Sequence, residues 1–530
     1  MNFSGMFPGK WYAAEVLRSV IYSVSAVLLV STVSTLSFSQ SLKPEDPKKL
    51  TKEGIKLTRD GKLLEAEAVL RRAAAFEQGT SKAKVELAYA LVKQRALVEA
   101  YEVVFPIAKA EPTNARAFAV LGLTFMTAGR FADARLVFYN ALKLDKKQHL
   151  GWAGLGLLDF YENNLRFSLA NLDQAIYFDP HEPDYLFAYA QVASRAERYA
   201  EAAEAYDLFL AVSHNADSER RARIKGLIEF LKRLGQVGSL YVAAGKEQTQ
   251  VPFELIGNRP IIKLHVNGHE EPLTFVLDTG SGVSVISEKT AKRLKIKPIA
   301  RGGFARGIGG NGKFEIVYGL LREIKVGDVS LKHVPVYLRK FHDDSLHVDG
   351  YIGLGLISKF LTTVDYGSRT LALTRKDTDT RDFKQNDELS LPLRITSSGF
   401  LSGEVQLQGL DAPLNFIVDT GASVSVISND VAKADGISGF INPDKLRVIG
   451  SAGITNDVYT YQLPKITFGK HSRKDITAVA LDLDLINEAA GFEQSGILGG
   501  NFLRNYRLTF DFKNSKVIFD PVVPDKQPPQ

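Results

Sequence analysis

At 530 residues, with 45% apolar and 24% charged residues, the chain is too long for one hydrophobic core and ordinary enough in composition to form at least two globular domains. Its 66 basic and 60 acidic residues leave a net charge of +6 spread over that length, which gives no support to nucleic-acid binding. The lack of cysteine excludes disulfides, thiolate metal sites, a cysteine nucleophile and a lipid-modified N-terminal cysteine.

At the N-terminus, Lys10 and Arg18 precede an uncharged, largely apolar run from Ser19 to Phe38, with small Ser37 and Ser39 ahead of Gln40. Residues 1–39 therefore read as an export signal cleaved after Ser39, or as an uncleaved anchor, since the run is long enough to cross a bilayer. Either reading sends the remainder to the periplasm or the exterior, and only the anchor brings in a membrane. Polar Lys43, Pro44, Glu45, Asp46 and Pro47 follow at once, which argues against a buried core helix.

From about residue 47 to 235 the sequence repeats itself. Small residues recur at Ala66, Ala100, Ala134, Ser168 and Ala202, each 34 positions after the last. Gly54, Ala88, Gly122, Gly156 and Ala190 form a second small column in the same register, and Leu70, Val104, Phe138, Leu172 and Tyr206 a bulky one. Small residues let the two helices of a repeat approach closely, and the bulky column is expected to fill the space against the next repeat. Pro112 and Pro180 fall where repeats end. With Trp152, Leu155, Gly156, Ala175 and Pro180 as its fullest match, this stretch resembles the tetratricopeptide repeat family over five repeats. The resemblance implies an all-α superhelix that binds a protein partner, closed by a charged amphipathic helix from Asp217 to Leu234. Its aromatics, Phe125, Phe138, Tyr161 and Phe178 among them, stand at helical spacing and are read as core.

After a linker at 236–254 the period turns to alternating β, and sliding this half on itself by 141 positions aligns two copies. Pro272 to Gly280, ending Asp278-Thr279-Gly280, lies on Pro413 to Gly421, ending Asp419-Thr420-Gly421. Of the 24 pairs from Leu264/Val405 to Ser287/Ser428, twelve are identical, so the half is a duplication. Each copy is an apolar strand ending in Asp-Thr-Gly and followed by a β-branched strand, with Gly350-Tyr351-Ile352-Gly353 and Gly496-Ile497-Leu498-Gly499 downstream. A short helical segment follows in each, and Val364-Asp365-Tyr366 and Phe510-Asp511-Phe512 are expected to begin a final strand. These motifs resemble the retropepsin-like aspartic proteases over nearly all of two lobes, residues 255–376 and 388–521. The implied architecture is multidomain, an all-α superhelix followed by all-β duplicated lobes, with the apolar-apolar-Gly element beneath each catalytic loop.

The chemistry such a pair supports needs two carboxylates facing each other and sharing one proton, because like charges at that distance cannot both ionise comfortably. The ionised member takes a proton from an attacking water while the protonated one donates to the developing oxyanion, with no metal or cofactor. The resemblance assigns Asp278 and Asp419 to catalysis, has Thr279 and Thr420 bond across the pseudo-twofold axis, and gives Gly280 and Gly421 the tight turns. Beside the loops the copies differ: Ser281 can donate toward its aspartate and Ala422 cannot. Asp365 and Asp511 read as turn caps.

The same shift lays Ile308, Gly309 and Gly312 on Ile449, Gly450 and Gly453. Gly-rich hairpins with Ile308, Gly309 and Gly310 in one tip and Ile449 and Gly450 in the other are flap candidates, and one flap per lobe favours a fused retropepsin dimer over a single-flap pepsin. Gly307-x-Gly309-x-x-Gly312 imitates a dinucleotide fingerprint but leads into Lys313 to Tyr318, which alternates like a strand where a helix is required. His342, Asp343, Asp344 and His347 lie in a polar stretch without a helical frame and read as a solvated loop, not a metal site. The expected protein is an exported aspartic endopeptidase that cleaves a polypeptide substrate, with its repeats binding a protein partner. The competing class is a peptide-binding scaffold that no longer cuts, and a further arrangement pairs each lobe with its equivalent in another chain.

Overall fold

The computed structural model describes residues 45–76, 80–213, 218–310, 313–342, 347–376, 389–392 and 394–522. The apolar N-terminal run, the hairpin-tip residues Asn311 and Gly312, and Asp343 and Asp344 fall outside that range. Five antiparallel helix pairs come first: α1 (Pro47–Arg59) with α2 (Leu63–Ala74), α3 (Thr80–Lys93) with α4 (Leu97–Ala110), α5 (Ala115–Thr127) with α6 (Phe131–Leu144), α7 (His149–Tyr161) with α8 (Leu165–Phe178), and α9 (Pro183–Arg195) with α10 (Tyr199–Val212). A twenty-residue helix, α11 (Ser218–Val237), ends the array where the capping helix is expected.

The repeat columns work differently from expectation in one respect. The bulky residue packs onto the small residue of its own repeat: a Cβ on Gly54 would lie 2.4 Å from Leu70, on Gly122 2.7 Å from Phe138, and on Gly156 2.8 Å from Leu172. Phe138 alone among these glycine contacts also reaches forward, to Gly154 of the next repeat. The helix pairs themselves are joined by a left-handed residue at Gly61, Arg95, Gly129, Asn163 and Glu197, with φ between 62° and 78°. The next amide closes the turn onto a carbonyl five residues back in each case, as in Lys62 to Leu57 at 2.9 Å and Asn164 to Asp159 at 2.7 Å.

The β half forms three sheets. Each lobe folds its Asp-Thr-Gly strand, Leu273–Leu277 or Leu414–Val418, into a large sheet beside the apolar-Gly strand, Gly350–Ile352 or Gly496–Leu498, with the same neighbour order in both. A six-stranded sheet joins the lobes: Phe360–Asp365 pairs antiparallel with Tyr506–Asp511, and Thr363 meets Thr509 near the pseudo-twofold axis with hydroxyls 3.1 Å apart. Val364-Asp365 and Phe510-Asp511 close the first strand of their hairpins instead of opening the last. Asp365 Oδ1 accepts the amides of Gly367 and Ser368, and Asp511 Oδ1 that of Asn514, which makes both turn caps. One continuous apolar core runs through both lobes and the joining sheet.

Residues 236–254, read from sequence as linker, are largely strand. Val242–Gly245 pairs with Val329–Lys332 of the first lobe, and Gln248–Pro252 forms an edge of the joining sheet against Thr370–Thr374. The repeat array docks on both lobes. Phe492 of the second lobe packs between Phe131 and Tyr161, with ring centroids 4.8 and 5.0 Å away, while Glu493 pairs with Arg95 and its amide bonds Thr127 O at 2.8 Å. Arg195 caps the carbonyls of Ile395, Thr396 and Ser397, and its burial pulls its pKa down to about 9. On the other side α11 lies along strand Ala300–Arg306. Phe230 stacks on Tyr318 at 4.2 Å, and Gly226 approaches so closely that a Cβ there would fall 1.9 Å from Arg301 O.

Candidate active site

Each Asp-Thr-Gly sequence leaves its strand at the aspartate, whose amide is fixed by the apolar-Gly strand alongside: Asp278 N–H donates to Ile352 O at 2.9 Å and Asp419 N–H to Leu498 O at 3.0 Å. The loop then turns onto the opposing loop. Thr279 Oγ1 donates to Val418 O at 2.7 Å and accepts the Thr420 amide at 3.1 Å. Thr420 Oγ1 donates to Leu277 O at 2.6 Å and accepts the Thr279 amide at 3.1 Å. Both threonines are fully buried, so these four bonds tie the two lobes of one chain together where no water can substitute. The lobes thus pair within the chain, which is the arrangement the sequence left open.

The cross-bonds bring the carboxyls together. The Asp419 carboxyl lies over Gly280, where a Cβ would sit 2.4 Å from Cγ, and the Asp278 carboxyl over Gly421, where a Cβ would sit 2.7 Å from Oδ1. Glycine is required here for space: any side chain would displace the opposing carboxyl. Both aspartates are half-buried.

Burial raises the pKa of both, and their environments separate them. Asp278 is driven well above the usual carboxylate range by burial first, then by the negative charge of Asp419 and a hydrogen bond with it; its loop supplies one compensating amide, Gly280 N–H at 2.9 Å. For Asp419 burial is opposed by the amides of Gly421 at 2.7 Å and Ala422 at 3.2 Å on Oδ1, and by the hydrogen bond with Asp278. The pair therefore titrates as a unit and holds one shared proton between the two carboxyls. The Ser281/Ala422 difference acts otherwise than expected: Ser281 Oγ donates to Val283 O at 2.8 Å and leaves Asp278 alone, whereas at Ala422 it is the backbone that reaches the aspartate.

The apolar-Gly elements sit under the loops. Leu354 N–H donates to Ser281 O at 2.7 Å and Gly500 N–H to Ala422 O at 2.7 Å, while the hydroxyls of Ser284 and Ser425 accept the amides of Gly353 and Gly499 at 3.1 and 3.2 Å. These serines were not singled out from sequence, although both lie in the duplicated Val-Ser-Val-Ile-Ser segment.

Two hairpins, Ala300–Arg306 with Lys313–Val326 and Ile441–Gly450 with Gly453–Phe468, meet tip to tip. Ile308 O accepts the Ala452 amide at 2.9 Å, and Gly310 N–H donates to Thr455 Oγ1 at 3.1 Å. Gly450 abuts Ile308 O and Gly309 abuts Gly453 O, each so closely that a Cβ would overlap, at 2.1 and 2.3 Å. Ile449 pairs with Ile454 inside its own hairpin and stays exposed. Among the described residues no group of three His, Cys, Asp or Glu side chains could hold a metal ion.

An aspartyl protease family model matches residues 262–356 and again 403–502, so an aspartyl protease domain is present in each lobe. No curated protein matches the chain. Solved structures align with the helical array. A thermophilic TPR protein of Thermus thermophilus matches at 18% identity and TM-score 0.30, covering 34% of this chain and 99% of its own. PilF of Pseudomonas aeruginosa matches at 16% identity and TM-score 0.27, covering 36% of this chain and 86% of its own.

Proposed function

We propose that the chain is an aspartic endopeptidase that hydrolyses peptide bonds of an extended polypeptide held between the dyad and the two hairpins. The observation that carries this reading is the reciprocal packing of Asp278 and Asp419 over each other's glycine, where burial and mutual repulsion favour one shared proton. The ionised member of the pair accepts a proton from a water set between the carboxyls as that water attacks the peptide carbonyl, and the protonated member donates its proton to the developing oxyanion. The tetrahedral intermediate then collapses as a proton passes to the leaving amine. Four cross-loop bonds hold the carboxyls in place throughout, so little reorganisation accompanies the proton transfers.

The test is hydrolysis of an unstructured polypeptide as a function of pH, with a pepstatin-type inhibitor as control. Only the singly protonated pair is active, so the rate rises as pH passes the lower titration and falls as pH passes the upper one. Burial and the Asp419 charge carry that upper limb above the value of about 3.9 of an isolated aspartate. No inhibitor-sensitive cleavage at any pH would leave a peptide-binding scaffold.

We further infer that the repeat array engages a protein partner or presents the polypeptide. The first helices of its successive repeats line an open cavity of about 220 Å³, with Arg59, Glu86, Tyr89, Arg116, His149 and Glu182 giving a mixed-charge surface suited to polar chain. Export is inferred from the apolar N-terminal run. Sequencing the N-terminus of the natural protein tests it: a start at Gln40, or an intact chain in the membrane fraction, agrees, and a soluble chain starting at Met1 overturns it.

A further inference from the structure

The duplicated lobes place chemically different side chains at one equivalent position beside the dyad. In the first lobe strand Ser284–Ser287 runs parallel to Val329–Arg339 and sets Ser287 opposite Arg339. In the second, Ser425–Ser428 sets Ser428 opposite Leu481. Leu481 belongs to an apolar cluster with Val479, Leu483 and Ile497 that is joined by Ile308, Ala422 and Val448, so it continues from the Asp419 loop to the hairpin tips. That side of the second lobe is apolar.

In the first lobe Arg339 stands at the matching position. Its guanidinium lies 3.8 Å over the ring of Phe314 in the first hairpin, and one terminal N–H reaches the carbonyl of Ser451 in the tip of the second. Its Nε is buried without a hydrogen-bond partner. Tyr337, Tyr351 and Asp278 are close enough to interact with it electrostatically. A cation in this position holds both hairpins over the dyad through one neutral carbonyl and one ring face. It keeps a donor in reserve, whereas a guanidinium fork is geometrically matched to a carboxylate.

We propose that Arg339 is a specificity-determining residue: it selects polypeptides carrying an aspartate or glutamate in the subsite walled by the first lobe, with an aliphatic residue in the subsite walled by Leu481. This rests on the endopeptidase reading. An incoming carboxylate offers Arg339 a charged, two-point acceptor in place of the Ser451 carbonyl, so the substrate that fits also loosens the tie between the hairpins. A glutamine of the same shape accepts one bond and brings no charge, and lysine is repelled. An unpaired buried donor makes the discrimination one-sided, since a neutral substrate leaves it unsatisfied.

The experiment uses the full chain and a peptide library read by mass spectrometry, followed by matched peptides that differ only as Glu, Gln or Lys at the selected position. The natural enzyme is expected to enrich acidic residues at one position near the cut and to prefer Glu over Gln by about tenfold or more in kcat/KM, as a charge-assisted bond would give. Arg339→Leu, which copies the second lobe, is expected to erase that ratio; Arg339→Lys should keep part of it and Arg339→Glu should favour Lys. Fluorescence anisotropy with the Asp278→Asn variant reads the same subsite without cleavage. Loss of all cleavage with Glu still bound about tenfold more tightly than Gln refutes the endopeptidase reading and leaves the subsite standing. A Glu/Gln ratio near one in cleavage and binding, or a ratio unchanged in Arg339→Leu, overturns the assignment of Arg339.

Discussion

Asp278→Asn and Asp419→Asn, made singly, each lower peptide hydrolysis by about a thousandfold or more, a barrier increase of about 4 kcal/mol, while the chain stays folded. The size follows from the geometry. The two carboxyls share one proton and divide two tasks between them, base and acid. An amide in either place can neither accept the proton of the attacking water nor return one, so losing one member loses both tasks. Folding is spared because an amide has the shape of a carboxyl and no charge to bury. Peptide cleavage assays with thermal unfolding of each variant decide the matter. Intra-chain pairing makes the two defects equal in kind, and the double mutant adds little. If lobes paired between chains as separate dyads, each single variant would keep the other dyad and lose only part of the activity.

Thr279→Val and Thr420→Val each destabilise the β half by about 2–5 kcal/mol, with activity falling alongside. Valine keeps the volume but removes a hydroxyl that donates to a carbonyl of the other lobe and accepts an amide of the other loop. Thr420→Val strands Leu277 O and the Thr279 amide; Thr279→Val strands Val418 O and the Thr420 amide. All of this lies at fully buried threonines, so water cannot replace what is lost. The measurement is the urea midpoint of each single and of the double variant. The four bonds form one mutual arrangement, so the double variant loses less than the sum of the singles. Serine keeps the hydroxyl and should restore most of the stability at either position. Wild-type midpoints in both valine variants would mean that the cross-loop bonds contribute nothing.

Much of this was legible without coordinates. The 34-residue period survives because each repeat solves the same packing problem with the same side-chain sizes, and the 141-residue shift survives because both lobes need an aspartate, a threonine and a glycine of fixed chemistry in one loop. Where the sequence misled, the cause was backbone. The left-handed turn between helices is as regular as any column, yet Gly61, Arg95, Gly129, Asn163 and Glu197 share no chemistry, because two capping amides impose the conformation. Ser281 looked like a donor for Asp278, and the nearest carbonyl, Val283 O, claimed it first. Residues 242–252 looked like a connection because strand pairing with distant edges, at Val329–Lys332 and Thr370–Thr374, leaves no local period in so short a segment.

The paired Asp-Thr-Gly loops follow the same division. Their presence, their duplication and the identity of the two facing carboxyls were determined by the order of residues alone, since only glycine fits beneath the opposing carboxyl and the cross-loop bonds need a threonine hydroxyl. Tertiary structure decided that the two loops close on each other within one chain, that the two carboxyls share a buried site, that α11 lies against one hairpin, and that Arg339 takes the position Leu481 holds in the second lobe. Each of those outcomes depends on backbone amides, carbonyls and packing between segments far apart in the chain, and such groups are common to every residue and so leave no mark in the order of the side chains.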